Sequence, residues 1–208
     1  GFSKALMEDY GDKLEGEAKV FLGQIADAAK HMADLIDGLL TLSRSSRGDM
    51  RRDPVDLSRL AEGIREELAA AHPQRQVAWC IEPEMRCSGD ARMIELVVRN
   101  LLENAWKYTG KTSAPEICFV REQRADASYF CVSDNGVGFD MAHAARLFHP
   151  FQRLHRQDEF PGIGIGLATV QRIVRRHGGE ICAEARVGQG AKFCFSLPLI
   201  GPNAELNP

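Results

Sequence analysis

The 208-residue sequence predicts an α+β protein, a two-layer α/β sandwich with helices on one face, preceded by a helical hairpin. Three observations carry that prediction. Residues 15–47 hold no proline and keep apolar side chains at Phe21, Ile25, Ala28, Met32, Leu35, Leu39 and Leu42. Those steps alternate four and three, the heptad seam of a helix that packs along a partner. Beyond residue 57, helical periodicity and short apolar runs bounded by turn residues are mixed, as in a sheet layered on helices.

In chain order, Phe2, Ala5 and Leu6 end a first helical arm, broken around Tyr10-Gly11-Asp12, so residues 1–47 read as a hairpin with a truncated first helix. Two helices with so narrow a seam bury little alone, and pairing two hairpins into a four-helix bundle predicts a homodimer. Residues 48–56, with Gly48 and Pro54, read as a linker, and 57–200 as the second domain. Asp56 or Ser58 is suited to cap a helix running to about Ala71, and Val77–Ile81 reads as a strand. Asp90 caps the next helix. Strands are expected near 116–123 and 128–133 with a turn at Asp126, then a loop-rich stretch over 139–161. A helix over about 164–177 precedes two last strands, 180–185 and 191–197, joined at Gly188-Gln-Gly190. Residues 201–208, with two prolines, are expected to be a disordered tail.

A net charge of −3 gives no reason to expect nucleic acid or an anionic membrane as partner. Arginines cluster at 44, 47, 51 and 52 and again at 172, 175 and 176, where solvated faces account for them. No run is apolar enough to span a bilayer and no secretory signal opens the chain. Six cysteines lack metal-binding spacing, and most sit in strand-like runs, which suits reduced, buried thiols in a cytoplasmic protein.

Asn100, Asn104 and Lys107 share one helical face, a turn apart, with Leu101, Leu102 and Ala105 behind them. Amide oxygens are hard ligands suited to Mg²⁺, and a lysine can meet a phosphate, so the face can line a nucleotide site. A helix with its polar side in water accounts for the run equally well. Asp134-Asn-Gly136-Val-Gly138 closes an apolar strand; its carboxylate can accept a hydrogen bond from an exocyclic amine, although such a run is commonly just a turn. Gly162-Ile-Gly164-Ile-Gly166-Leu167 leads into a helix, where free N–H groups attract phosphates, or where glycines simply hinge a lid. The spacing is neither a Rossmann nor a Walker A pattern.

In this order, the segments resemble the ATP-binding domain of sensor histidine kinases, a branch of the gyrase, Hsp90 and MutL group. Asn100 to Tyr108 looks like the N box and Asp134 to Gly138 like the G1 box. Phe148-His-Pro-Phe151-Gln-Arg153 looks like the F box, and Gly162 to Leu167 like the G2 box. Gly188-Gln-Gly190-Ala-Lys-Phe193 matches the family's closing strand, with alanine where threonine is common. Leu35 to Arg44 looks like the second helix of a dimerisation and phosphotransfer domain, and the wording of the chain is most similar to the phytochrome-like branch.

The resemblance implies ATP and Mg²⁺ as cofactors, with Asn104 ligating the metal, Asn100 helping, and Lys107 on a phosphate. It implies that Tyr108 flanks the adenine, that Asp134 binds its amine, and that Gly136 and Gly138 form the floor. Phe148 and Phe151 would anchor the lid, Arg153 would reach toward the γ-phosphate, and Gly162, Gly164 and Gly166 would shape the phosphate loop. The ATPase relatives carry a glutamate base where Asn100 stands, which argues for transfer to a side chain over hydrolysis. Glu103 is placed to act as a base or simply to be solvated.

The implied activity is autophosphorylation of a histidine followed by transfer to a response-regulator aspartate. The acceptor is missing from the expected helix: residues 1–30 hold no histidine, and His31 lies in the second helix without a following acid or proline. The acceptor is expected upstream of Gly1. The other five histidines are expected on the surface or in the lid. A non-catalytic dimeric adaptor and an ATP-hydrolysing clamp are the alternatives, the first opposed by intact boxes and the second by Asn100.

Overall fold

Asp56 leaves a short strand with extended backbone, and its carboxylate accepts the Arg59 N–H at 2.9 Å, which sets the start of a helix at Leu57. The computed structural model describes residues 16–25, 50–124, 127–155, 159–160 and 162–199. The chain divides into two compact units, residues 1–41 and 42–208. In the first unit residues 16–25 are helical, and Val20, Phe21 and Ile25 are each more than half exposed. The truncated first arm, the seam from Ala28 to Leu42, His31, the turn at Asp126 and the tail from Gly201 lie outside the described residues.

The second unit runs β1 (Asp53–Asp56), α1 (Leu57–Ala71), β2 (Ala78–Ile81), β3 (Arg86–Gly89) and α2 (Ala91–Tyr108). It continues with β4 (Glu116–Arg124), β5 (Ala127–Asp134), a 3-10 helix (Met141–Arg146), α3 (Gly166–Arg176), β6 (Ile181–Ala185) and β7 (Ala191–Ser196). Five strands form one sheet in the order β2-β4-β5-β7-β6, antiparallel except for the β2-β4 pair. Leu57, Ala61 and Ile64 of α1, the Ile94 to Ala105 stripe of α2, and Val170, Ile173 and Val174 of α3 are buried. They share one core with Phe119, Phe130, Val132, Phe193 and Phe195 of the sheet. Helices therefore cover one face, as the sequence predicts. No helix among the described residues is long and apolar enough to cross a membrane.

Four expectations are corrected. Residues 53–56, read as linker, form β1, which pairs antiparallel with β3 and belongs to the folded unit. Pro54 is compatible with so short a strand because its partner lies on one side only. A 3-10 helix occupies 141–146, within the stretch read as loop, and Asp140 caps it through the Ala142 N–H at 2.8 Å. His177 is neither surface nor lid: it is 1% exposed, accepts the Asp90 N–H on Nε2 at 3.0 Å, and so donates from Nδ1 to the Ile173 carbonyl at 2.8 Å. That neutral imidazole ties the start of α2 to the end of α3. Finally, the cysteines are not all free. Cys131 and Cys194 form a disulfide, because antiparallel pairing of β5 with β7 sets them directly opposite across a sequence separation of 63. Cys87 fits the original reading, a buried thiol that desolvation pushes up to about 12.

Candidate nucleotide site

One half-buried face of α2 carries Asn100, Asn104, Lys107 and Tyr108 toward a cavity of about 260 Å³. The end of β5 supplies Asp134 and Gly138, the lid segment supplies Arg153, and Gly162 to Leu167 close it where α3 begins. The structure thus gathers eleven of the sequence-predicted residues around one space, since Gly164 and Gly166 join that loop and Leu167 begins the helix. Four fall outside its lining: Glu103, Gly136, Phe148 and Phe151.

At one wall, Asp134 accepts the Gly136 N–H on Oδ1 at 2.8 Å. Burial pushes its carboxyl up to about 6, opposed by the backbone N–H groups of Gly136 and Ala191. Gly136 does not line the cavity but makes its wall possible. A Cβ there would stand 2.4 Å from the Tyr108 carbonyl oxygen, so only glycine lets the strand end press against α2. Gly138, at φ +57°, passes so close to the Arg186 carbonyl that a Cβ would lie 2.0 Å from it. The hairpin between β6 and β7 is drawn in by these contacts, and it places Ala191 and Phe193 in the cavity wall.

Lys107 and Arg153 make another part of the lining cationic. Burial, and then the Arg153 charge, depress the Lys107 ammonium to about 8. Its Nζ lies 4.4 Å from the Tyr108 ring centroid and beside Gly162, where a Cβ would be 3.4 Å away. Asn100 donates from Nδ2 to the Leu96 carbonyl at 2.7 Å, which points its oxygen at Gly166; a Cβ on that glycine would meet Oδ1 at 2.5 Å. No hydrogen bond engages the Asn104 amide among the described residues, and it faces the cavity. The first turn of α3 has no side-chain cap, since Ile165 holds that position. Its N–H groups and helix dipole are therefore available to an anion.

Lid residues complete the enclosure. Arg153 donates to the carbonyls of Gly162 and Phe160, so here it braces the lid from within the cavity wall. Arg146 reaches back to Gln152 Oε1 at 3.1 and 2.6 Å. Tyr108, His155 and Phe160 form an aromatic cluster with centroids 5.1 to 5.4 Å apart, joining lid to helix.

Neither F-box phenylalanine lines the cavity, Phe148 being half-buried outside it and Phe151 lying at the surface. Phe151 is 48% exposed at φ +64°, a backbone state held by its N–H donating to the Gly164 carbonyl at 2.9 Å. Leu147 and Leu154 take the inward positions instead. Glu103 points away, exposed, with Oε1 3.9 Å from Arg99 Nη1. Phe139, Leu147, Ile163, Ala191 and Phe193 line the cavity without having been singled out as site residues. Phe139 and Phe193 carry a local signal, adjacency to Gly138 and to the Gly188-Gln-Gly190 turn. The others become visible only with the lid fold and the β5-β7 register, in which Asp134 pairs with Ala191.

Comparison with known proteins agrees with this geometry. Residues 89–201 match the family described as histidine kinase-, DNA gyrase B-, and HSP90-like ATPase. Over 201 residues the chain is 33% identical to cyanobacterial phytochrome B of Nostoc sp., covering 94% of this chain and 26% of that protein. It is 32% identical over 206 residues to the sensor histidine kinase TrcS of Mycobacterium tuberculosis, covering 96% of this chain and 40% of that one. The chain thus spans well under half of these relatives. Among solved structures, full-length ShkA in complex with AMPPNP superposes with a TM-score of 0.65 at 24% identity, over 89% of this chain and 39% of that one. The Acinetobacter baumannii histidine kinase AdeS gives 0.63 at 20% identity, over 96% of this chain and 92% of that one. These two show a shared fold. Taken with the family match over more than half its length, they place the site in context: the chain belongs to the histidine kinase-, DNA gyrase B- and HSP90-like ATPase family.

Proposed function

We propose that residues 57–200 bind Mg-ATP and act as the phosphoryl donor of a sensor histidine kinase. One observation carries the choice of transfer over hydrolysis. Asp134 is the only carboxylate among the described lining residues, and it sits at the adenine end of the reading, far in role from the phosphates. Where a base for water would stand, Asn100 offers an amide already committed to Leu96, and Glu103 lies outside the lining. Without a base to activate water, the cavity is suited to orienting ATP for a nucleophile brought from elsewhere.

In this reading the Asp134 carboxylate accepts the adenine amine, and Gly138 and Phe193 bound the ring. Lys107 and the uncapped N–H groups of α3 hold phosphate oxygens. The free Asn104 oxygen, with that of Asn100 beside it, fits a hard divalent cation, which would offset charge on the phosphates. The acceptor is a histidine that this unit does not supply, and a receiver-domain aspartate of a response regulator takes the group next. The helical hairpin, with Phe21 and Ile25 exposed, is assigned to homodimerisation.

The test is incubation with γ-labelled ATP, alone and with a hairpin bearing an acceptor histidine joined at the N-terminus. Label that resists base and is lost in acid, on the histidine-bearing version only, is expected. Fast Mg²⁺-dependent release of free phosphate, abolished by Asn104→Ala, would favour a hydrolysing clamp instead.

A further inference from the structure

Along each strand successive side chains alternate between the two faces of the sheet, and Phe130, Val132, Phe193 and Phe195 take the helix-covered face. The residues between them, Cys131 and Cys194, therefore point to the outer face. The register then aligns four residues in one row across β4, β5, β7 and β6: Val120, Cys131, Cys194 and Cys182. Cys131 and Cys194 are joined, and Cys182 is a free, half-buried thiol on the far side of Cys194. We infer that this row is a thiol–disulfide exchange site in which Cys182 displaces Cys131 from Cys194.

Displacement at sulfur needs the incoming thiolate opposite the leaving one. A row with Cys194 in the middle provides that approach, because Cys182 and Cys131 flank it on adjacent strands. A guanidinium stands at the two sulfurs that must meet: Arg124 Nη1 is 3.6 Å from Cys182 Sγ and Nη2 is 3.2 Å from Cys194 Sγ. A cation there offsets the negative charge that passes between the sulfurs during the displacement. Glu122 and Glu184 also face Arg124, at 3.3 and 3.8 Å, and Lys192 pairs with Glu122, so the two carboxylates are matched by two cations before a thiolate forms. The Arg124 guanidinium also lies 5.0 Å from the Tyr129 ring.

The step balances without an outside oxidant. Cys182 gives a proton to water, and its sulfur bonds to Cys194. The Cys131–Cys194 bond breaks, and the released Cys131 thiolate takes up a proton. The cross-link moves from β5-β7 to β7-β6. It thereby leaves the strand pair whose ends carry Asp134 and Ala191 into the cavity wall.

The test equilibrates the full chain in a glutathione redox buffer, quenches it in acid, blocks free thiols with N-ethylmaleimide and maps disulfide-linked peptides by mass spectrometry. Both Cys131–Cys194 and Cys182–Cys194 linkages are expected in the unaltered chain, and the second alone in Cys131→Ser. Arg124→Gln should reach the mixture several-fold more slowly. Cys182 recovered fully alkylated with Cys131–Cys194 as the sole linkage would overturn the inference. So would the absence of any linkage among the three, or of Cys182–Cys194 in Cys131→Ser. An unchanged rate in Arg124→Gln would overturn the role given to that guanidinium.

Discussion

Asp134 and Lys107 sit in the same cavity with their ionisation moved toward neutrality from opposite sides, Asp134 up to about 6 and Lys107 down to about 8. Desolvation is the main cause for both. Asp134 must be ionised to accept an amine proton, and Lys107 must be charged to hold a phosphate. Affinity for an ATP analogue should therefore fall as pH drops through about 6 and again as it rises through about 8. Calorimetric titration across that range checks it, with Lys107→Met expected to lose the alkaline limb. A flat profile in the unaltered chain would count against these roles.

The same shift has a stability consequence. A carboxyl raised in the folded state contributes stability that is present at low pH and lost as pH rises through its folded value. At pH 7.5 the unliganded protein therefore carries a buried charge, and Asp134→Asn should stabilise it by about 1–3 kcal/mol in urea melts while weakening analogue binding. No gain is expected near pH 4, and a loss of stability at pH 7.5 would contradict the assigned burial cost. Legibility in the sequence varies residue by residue. The Asn100, Asn104 and Lys107 face was readable because helical spacing alone brings those side chains together. Glu103, one position before Asn104, stayed open between a base and a solvated side chain because spacing does not say which flank of a helix turns into a cavity. The exposure of Phe151 was unreadable because it depends on a backbone state fixed by Gly164.

Among the elements, helices and long strands were legible because each carries its own cap or period. Asp56 and Asp90 mark the starts of α1 and α2, and alternation marks β4 and β5. Strands β1 and β3 were missed because four residues leave no period to read and their pairing partner lies 30 or more positions away. The glycine loops hold the elements at their separations, and two substitutions separate their roles. Gly138→Ala forces a Cβ to within 2.0 Å of the Arg186 carbonyl at a positive φ, with backbone on both sides. It should cost about 3 kcal/mol or more and lower the denaturation midpoint accordingly. Gly166→Ala meets only the Asn100 side chain, which can rotate away. Stability should change by about 1 kcal/mol or less, while Mg²⁺-dependent analogue affinity falls because Asn100 is displaced. Equal stability losses in the two variants would contradict that distinction.

For the molecule as a whole, the hairpin and the nucleotide unit are assigned different tasks, and each assignment stands on different residues. Phe21 and Ile25 are exposed, and on the proposal that this segment mediates homodimerisation, sedimentation equilibrium should give a dimer that Phe21→Glu with Ile25→Glu converts to monomer. A monomeric parent chain would contradict it. The cavity, in turn, joins four chain segments that are separate in sequence, from α2 to the β6-β7 hairpin. That convergence explains why no single motif was decisive and why their order was.

The central claim is that Asp134 and Asn104 clamp opposite ends of one Mg-ATP. Calorimetric titration of the chain with a non-hydrolysable ATP analogue, with and without Mg²⁺, tests it most directly. Mg²⁺-dependent binding is expected, with at least about tenfold loss in Asp134→Ala, a difference of about 1.4 kcal/mol. Asn104→Ala should bind weakly and with no gain from Mg²⁺. No binding by the parent chain, or full Mg²⁺-dependent affinity in both variants, would contradict the account.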